Sequence, residues 1–366
     1  MKTTKHLLLL AALSVLGAAN SYADLTQVDG VYQIGTPADL VAFSALVNEG
    51  QTDANAVLLC DIGMSNTTGF NPIGTAEAPF KGTFDGKGHR IMNLQIIAGN
   101  YAGFIGCVVG GATIRNLILD ETCSISGGKR VGLVGGSNGE GIVTMECLGN
   151  EATITGSGAN AGGIFGGNTS SKSTIIIERC YNAGNVTGSK ESGAISGWIG
   201  SSSLEHSLAY CYNIGTVTGY KDESQYVYRG SPAHIENIFS TLGTQGTIVS
   251  NEAVASGELT WLMNGQTFLN PKFFQTIGVD SKPLFDSTHE VVIKAGDAYS
   301  SFNPADGNSI KDACNFMIDE ESQRAEETVA SQALLDEYVA LLQSWQGIET
   351  YEAFVTAYTN AQPLKQ

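Results

Sequence analysis

The chain is poor in charge. Asp, Glu, Lys and Arg make up 15% of its 366 residues, where a globular domain carries about 25%. Bases are scarcer still: 19 Lys and Arg stand against 36 Asp and Glu, a formal net charge of -17. No basic block occurs. Polyanions are held by clustered Lys and Arg through phosphate contacts and counterion release, so nucleic acid is excluded as a partner. An anionic membrane surface is disfavoured for the same reason. Beyond the N-terminal stretch no run approaches about 18 uninterrupted apolar residues, so no transmembrane segment is expected. The seven cysteines form no CxxC pair, and an odd number leaves at least one unpaired within a monomer. HExxH is absent, which removes the common zinc-hydrolase signature. No metal, cofactor or catalytic set is expected.

What the chain has in excess is glycine, 45 residues. These follow no strict three-residue period, so a collagen helix is excluded. An apolar fraction of 42% is enough for a buried core.

The N-terminus has the three parts of an export signal. Lys2 and Lys5 are followed by an apolar run from Leu7 to Ala19, and Ser21-Tyr22-Ala23 sets small residues before a cut at Ala23/Asp24. Residues 1–23 therefore read as a signal peptide. The mature chain is expected outside the cytoplasm, whether extracellular, on the cell surface or periplasmic.

The middle of the chain repeats with a period near thirty. Glycine phrases begin at Gly103, Gly132, Gly163 and Gly193, at steps of 29, 31 and 30 residues. Each is followed by a second phrase: Ile114-Arg115-Asn116-Leu117, Met145-Glu146-Cys147-Leu148, Glu178-Arg179-Cys180-Tyr181-Asn182, Ala209-Tyr210-Cys211-Tyr212-Asn213. A third phrase, such as Asn185-Val186-Thr187-Gly188 or Thr216-Val217-Thr218-Gly219, closes most units. One such unit cannot bury its own apolar side, so units must stack. Three short strands per unit give an all-β chain, a right-handed parallel β-helix in which like residues lie over like at about 4.8 Å. Aligned by residue type, Cys147, Cys180 and Cys211 form an inward column with Leu117, each thiol acting as a small hydrophobe. A disulfide between neighbouring rungs is the alternative in an exported chain. Tyr181 and Tyr212 are also in register. They read either as a buried stack or, with Trp198 and Tyr220, as an outward aromatic surface for sugar.

The ends differ from the middle. Residues 24–56 read as a cap: Thr36, Pro37 and Asp39 begin a helix whose Leu40, Phe43 and Val47 cover the first rung. Residues 57–290 form the repeat domain, with Phe273, Phe274 and Phe285 as a plug for its last rung. Residues 291–308 read as a linker, and 309–366 as a helical hairpin, from the spacing of Leu334, Tyr338, Leu341 and Trp345.

Two carboxylate arrangements bear on catalysis. Glu146 and Glu178 fall near equivalent places, one residue before Cys147 and two before Cys180, an offset that leaves open whether they share a face as the acid pair of a β-helix glycosidase does. The segment Asp85-Gly86-Lys87-Gly88-His89 carries a double turn signature, so Asp85, Gly86, Gly88 and His89 read as a turn motif rather than as a catalytic Asp–His pair.

The segments Asn71-Pro72-Ile73-Gly74 and Pro79-Phe80-Lys81-Gly82-Thr83-Phe84-Asp85-Gly86-Lys87-Gly88-His89 resemble the opening of exported β-helix repeat proteins of gut Bacteroidota. Gly132-Leu133-Val134-Gly135 and its copies resemble the repeat of GLUG-motif proteins. The resemblance spans about residues 30–290. It implies export and a surface role, adhesin-like in some members, and carries no catalytic assignment. The expectation is a non-catalytic secreted or cell-surface module that presents an extended face to a glycan or to a host or bacterial surface protein. A polysaccharide lyase or glycoside hydrolase and a structural envelope protein are the alternatives.

Overall fold

A computed structural model describes residues 25–170, 172–200, 206–219, 226–328 and 332–361. The signal-peptide segment 1–23 and Tyr220 lie outside them. Three sheets run side by side along a solenoid, and between Thr83 and Gly230 the coils give strands to all three, while the first coils and the last add only to the longest. The longest sheet orders Val31–Ile34, Asn55–Leu58, Thr83–Asp85, Thr113–Leu119, Gly141–Asn150, Ser173–Glu178, Ser207–Asn213 and His234–Ser240. The second runs from Gln95–Ile97 to Thr216–Thr218, and the third from Ile105–Val108 to Tyr228–Gly230. Alternating side chains enter a single apolar core that reaches from Tyr32 to Ile238.

The register corrects the thiol column. Leu117 pairs with Leu148, Tyr181 with Tyr212, and Cys211 with Ile238. The inward column is therefore Leu117, Leu148, Cys180, Cys211, Ile238. Cys147 stands one residue earlier, in a row with Asn116, Arg179, Tyr210 and Asn237. All five members of that row have positive φ, between 49° and 53°. At this row each long strand turns a corner through the left-handed region, which favours Asn and tolerates other residues only under constraint. Matching by residue type aligned thiol with thiol, whereas the fold aligns corner with corner. All seven cysteines are free thiols. Burial, seconded by the Glu146 charge, pushes the Cys147 thiol up to about 12.

Two further rows hold the coils together. Asn150, Asn182 and Asn213 form a buried ladder: Asn150 Nδ2 donates to Asn182 Oδ1 at 2.8 Å, and Asn182 Nδ2 donates to Asn213 Oδ1 at 2.9 Å. In the third sheet, Gly106, Gly135, Gly166 and Gly197 are stacked. A Cβ on Gly166 would lie 2.2 Å from Gly135 O, and one on Gly197 would lie 2.6 Å from Gly166 O. The glycine phrase is thus demanded by close backbone approach, not by positive φ.

The N-terminal end is closed by helix α1, Pro37–Asn48. Thr36 and Asp39 make the expected capping box. Phe43 enters the core beside Tyr32, Phe80 and Phe84, with ring centroids 5.7, 6.4 and 6.0 Å away. Asn48 fixes the helix to the next coil, donating to Pro72 O at 3.0 Å and accepting from Gly74 N at 2.8 Å.

The C-terminal part is arranged differently from the sequence expectation. Residues 291–308 are not a linker. Val291–Ala295 and Ala298–Phe302 form an antiparallel hairpin whose Val292, Ile293 and Phe302 are buried in a second core. The β-type residues Glu290 to Ile293 indicate the first strand, while the second, Ala298–Phe302, falls in a stretch that reads as loop. Two short helices precede it, α2 (Asn251–Ala255) and α3 (Glu258–Met263). Among the described residues three helices follow: α4 (Gly307–Thr328), α5 (Gln332–Gln343) and α6 (Tyr351–Ala361), with Trp345 and Phe354 buried in the same core. Among the described residues no helix is long and apolar enough to cross a membrane.

Candidate functional site

The outward row next to the inward column reads Ile118, Gly149, Tyr181, Tyr212, Phe239. Tyr181 and Tyr212 stack at 5.0 Å between centroids and 8° between planes. A Cβ at Gly149 would lie 2.5 Å from the Tyr181 ring, so glycine there lets the ring lie flat on the wall. The two tyrosines point outward but are fully buried, because Phe273, Phe285, Leu259 and Met263 cover them. Phe273 and Phe285 therefore do not plug the last rung. They dock the C-terminal part on the side of the solenoid. Tyr181 and Tyr212 are anchors, which removes them from any sugar-facing surface.

Their hydroxyls fix that docking. Tyr212 Oη donates to Pro283 O at 2.6 Å, and Tyr181 Oη donates to Glu151 Oε1 at 2.6 Å. Glu151 also meets Lys282 at 3.1 Å and pairs with Arg90, whose other partner is Asp120 at 3.1 Å. Burial would lower the Arg90 pKa, but Glu151 and its neighbours hold it above its usual range. Burial, Glu151 and Tyr212 push the Tyr181 phenol well up, so it remains a neutral donor. This network was not foreseen. Its signal was the one-coil spacing of Asp120 and Glu151, each directly after an aligned Leu119 or Asn150.

Held by these contacts, the segment Leu284–His289 stands off the wall and encloses a cleft of about 520 Å³. One wall is Asp61, Lys87, His89 and Arg90; the other is Phe285, Asp286, Ser287, Thr288 and His289. His89 Nδ1 lies 3.1 Å from Asp61 Oδ1, and His289 Nδ1 lies 2.8 Å from Asp280 Oδ2. Burial would raise the Asp286 carboxyl. Hydrogen bonds from Thr288 and the charges of His289 and His89 bring it below the ordinary aspartate range. The cleft thus offers hydroxyls, imidazoles, two carboxylates and two basic side chains beside one aromatic ring.

The turn motif forms the floor of this region. Asp85 is buried and accepts from Lys87 N at 2.9 Å, Arg115 Nε at 3.0 Å and Asn116 Nδ2 at 3.0 Å. A Cβ on Gly86 would lie 2.4 Å from Asn116 O, and Gly88 has φ +87°. His89 thus bonds Asp61 and not Asp85. Trp198 is half-buried, in the row of Cys107, Gly136 and Gly167, remote in register from the two tyrosines. Glu146 and Glu178 are register neighbours, and Arg179 Nη1 lies 3.3 Å from each. Among the described residues no cluster of three His, Cys, Asp or Glu is placed to hold a metal ion.

No family model matches the chain, so the GLUG likeness has none behind it. Halomucin of Haloquadratum walsbyi is 31% identical over 189 residues, which cover 47% of this chain and 2% of halomucin. A crystal structure from Bacteroides ovatus, described as that of a candidate immunoglobulin A1 protease, superposes with a TM-score of 0.51 at 20% identity. It covers 70% of this chain and 92% of its own. That likeness is one of fold.

Proposed function

We propose that the chain is an exported, non-catalytic binding module and that the cleft between the solenoid wall and Leu284–His289 receives a hydroxylated ligand, a surface glycan in the first instance. The observation that carries this reading is the cleft itself: Ser287, Thr288, Asp286 and the two imidazoles supply donors and acceptors beside Phe285. Sugars are recognised by that combination of polar groups and an aromatic face. A binding role is favoured over hydrolysis because the two acids that line the cleft are already engaged: Asp61 meets His89 Nδ1 at 3.1 Å and accepts from Arg90 N at 3.0 Å, and Asp286 accepts from Thr288 N at 2.9 Å.

Glycan-array binding by the mature chain tests this. Retention on a defined glycan, lost in Asp286→Ala together with His89→Ala, is the expected result. Retention unaffected by that double change would move the site elsewhere. Shortening of a bound polysaccharide on prolonged incubation would replace the binding reading with the hydrolase or lyase reading.

A further inference from the structure

The second sheet has an outward face of unusual uniformity. Ser124–Ser126 pairs in register with Thr153–Thr155, which is followed in the same register by Asn185–Thr187 and Thr216–Thr218. The middle residue of each phrase, Ile125, Ile154, Val186 or Val217, is buried in the solenoid core. The first and third residues therefore point out. Every one of them carries a hydroxyl except Asn185. The outward residues of the last two phrases, and Thr153, are exposed; Ser124, Ser126 and Thr155 are half-buried. Thr216 Oγ1 donates to Asn185 Oδ1 at 2.6 Å, and the hydroxyls of Thr187 and Thr218 lie 2.9 Å apart, so these ties run from coil to coil. The result is a two-dimensional grid, with steps of about 4.8 Å between coils and about 6.6 Å along each strand. No position of the grid is charged, in a chain of formal net charge -17, and none is aromatic. The longest sheet differs, since Arg115, Glu146 and Glu178 form ion pairs on its outer side.

We propose that this grid binds the surface of crystalline water, that is, ice. A flat, repeating face fits a ligand that is itself flat and repeating, and the side chains decide which one. A mineral is held by carboxylates that ligate its cations, and the grid has none. A crystalline polysaccharide presents the faces of its sugar rings, which stack on aromatic side chains, and the grid has none. A folded partner is gripped by large anchors in fitted pockets, and short Ser and Thr tips at one level supply neither. Ice asks for what is there: uncharged groups that donate and accept hydrogen bonds at fixed repeats. The coil step and the strand step lie close to two perpendicular oxygen repeats of the hexagonal ice lattice, so waters held on the hydroxyls continue that lattice. Absence of charge matters because pressing a charge against ice strips its hydration. Threonine is stiff at χ1, and the buried Ile and Val row fixes the backbone beneath it, so little freedom is lost on binding. The inference stands apart from the cleft and its ligand.

Slow growth of an ice crystal in a solution of the fluorescently labelled mature chain tests it, with uptake into the ice and the shape of the crystal as readouts. The expected result is enrichment of the protein in the ice and faceting of the crystal. Thr155→Lys and Thr187→Lys, in neighbouring coils at the middle of the grid, should each lower uptake about tenfold, equivalent to about 1.4 kcal/mol. Ile142→Lys, at a position 55% exposed on the longest sheet, should leave uptake unchanged, as should Asp286→Ala with His89→Ala in the cleft. Unaltered circular dichroism and melting show that the variants fold. Exclusion of the parent chain from ice would overturn the proposal. So would equal uptake by the parent and both threonine variants, or retention on crystalline cellulose with no effect on ice.

Discussion

The two ends of the solenoid solve one problem in opposite ways. A stack of parallel coils exposes core and strand edge wherever it stops. At the N-terminus the chain closes the core from within: Phe43 enters it, and Asn48 ties the helix to the following coil. At the C-terminus the apolar segments do not cross the last coil. They run back along the outside and cover Tyr181 and Tyr212, while a separate core gathers around Trp345 and Phe354. The first arrangement makes the cap part of the solenoid's own stability. The second makes the C-terminal part an attachment, and its standing off from the wall is what leaves a cleft.

The largest test of this difference is Phe43→Ala. It should cost about 3–5 kcal/mol, read as an earlier unfolding midpoint of the whole solenoid in urea. Tyr212→Ala should cost a similar amount locally, about 3 kcal/mol, yet the solenoid transition should stay in place while hydrogen exchange accelerates across residues 251–290. One shared transition for both variants would break the comparison.

Within the coils, Gly166→Ala forces a Cβ onto a carbonyl and should cost about 1–3 kcal/mol. Gly88→Ala, with nothing within 4 Å but φ +87°, should cost about 1 kcal/mol. Thermal denaturation of the pair separates crowding from backbone strain.

The acid side of the stability curve gives a further test. Burial would raise the Asp85 carboxyl, but Asn116, Lys87 N and the Arg115 charge hold it below its ordinary value. A depressed acid stabilises the fold above its unfolded pKa and loses that contribution as pH falls through the folded one. Stability should therefore fall below the ordinary aspartate range, and Asp85→Asn should flatten that decline. An acid arm as steep in the variant as in the parent would remove Asp85 from the account.

The smallest effect separates two cysteines. Cys147→Asn, at a left-handed corner shared with Asn116 and Asn237, should be neutral or stabilising by up to about 1 kcal/mol. Cys180→Asn, in the core, should be destabilising by about 2 kcal/mol or more. Equal effects in calorimetry would contradict the register.

The repeat was legible because stacking repeats its demands. The glycine rows, the Asn182 and Asn213 ladder and the capping box at Thr36 each need one residue type at one place, so the residues advertise the structure. The cleft was not legible. Arg90, Glu151, Lys282 and His289 belong to segments far apart in the chain, and nothing local to any of them says that Leu284–His289 will lie over the wall. Cys147 misled for a related reason: a thiol suits both a core position and a tolerated corner, and residue type alone does not tell them apart.

By itself, then, the sequence determined the coil. Its period, its strands, its glycine contacts and its N-terminal helix follow from local sterics and from the need of each unit to bury one side against its neighbours. Tertiary structure alone decided which face of Tyr181 and Tyr212 would be covered, that residues 291–302 would pair as a hairpin, and where a cleft would open. Those outcomes depend on contacts between distant segments, whose free energy exists only once the solenoid wall is there to dock against.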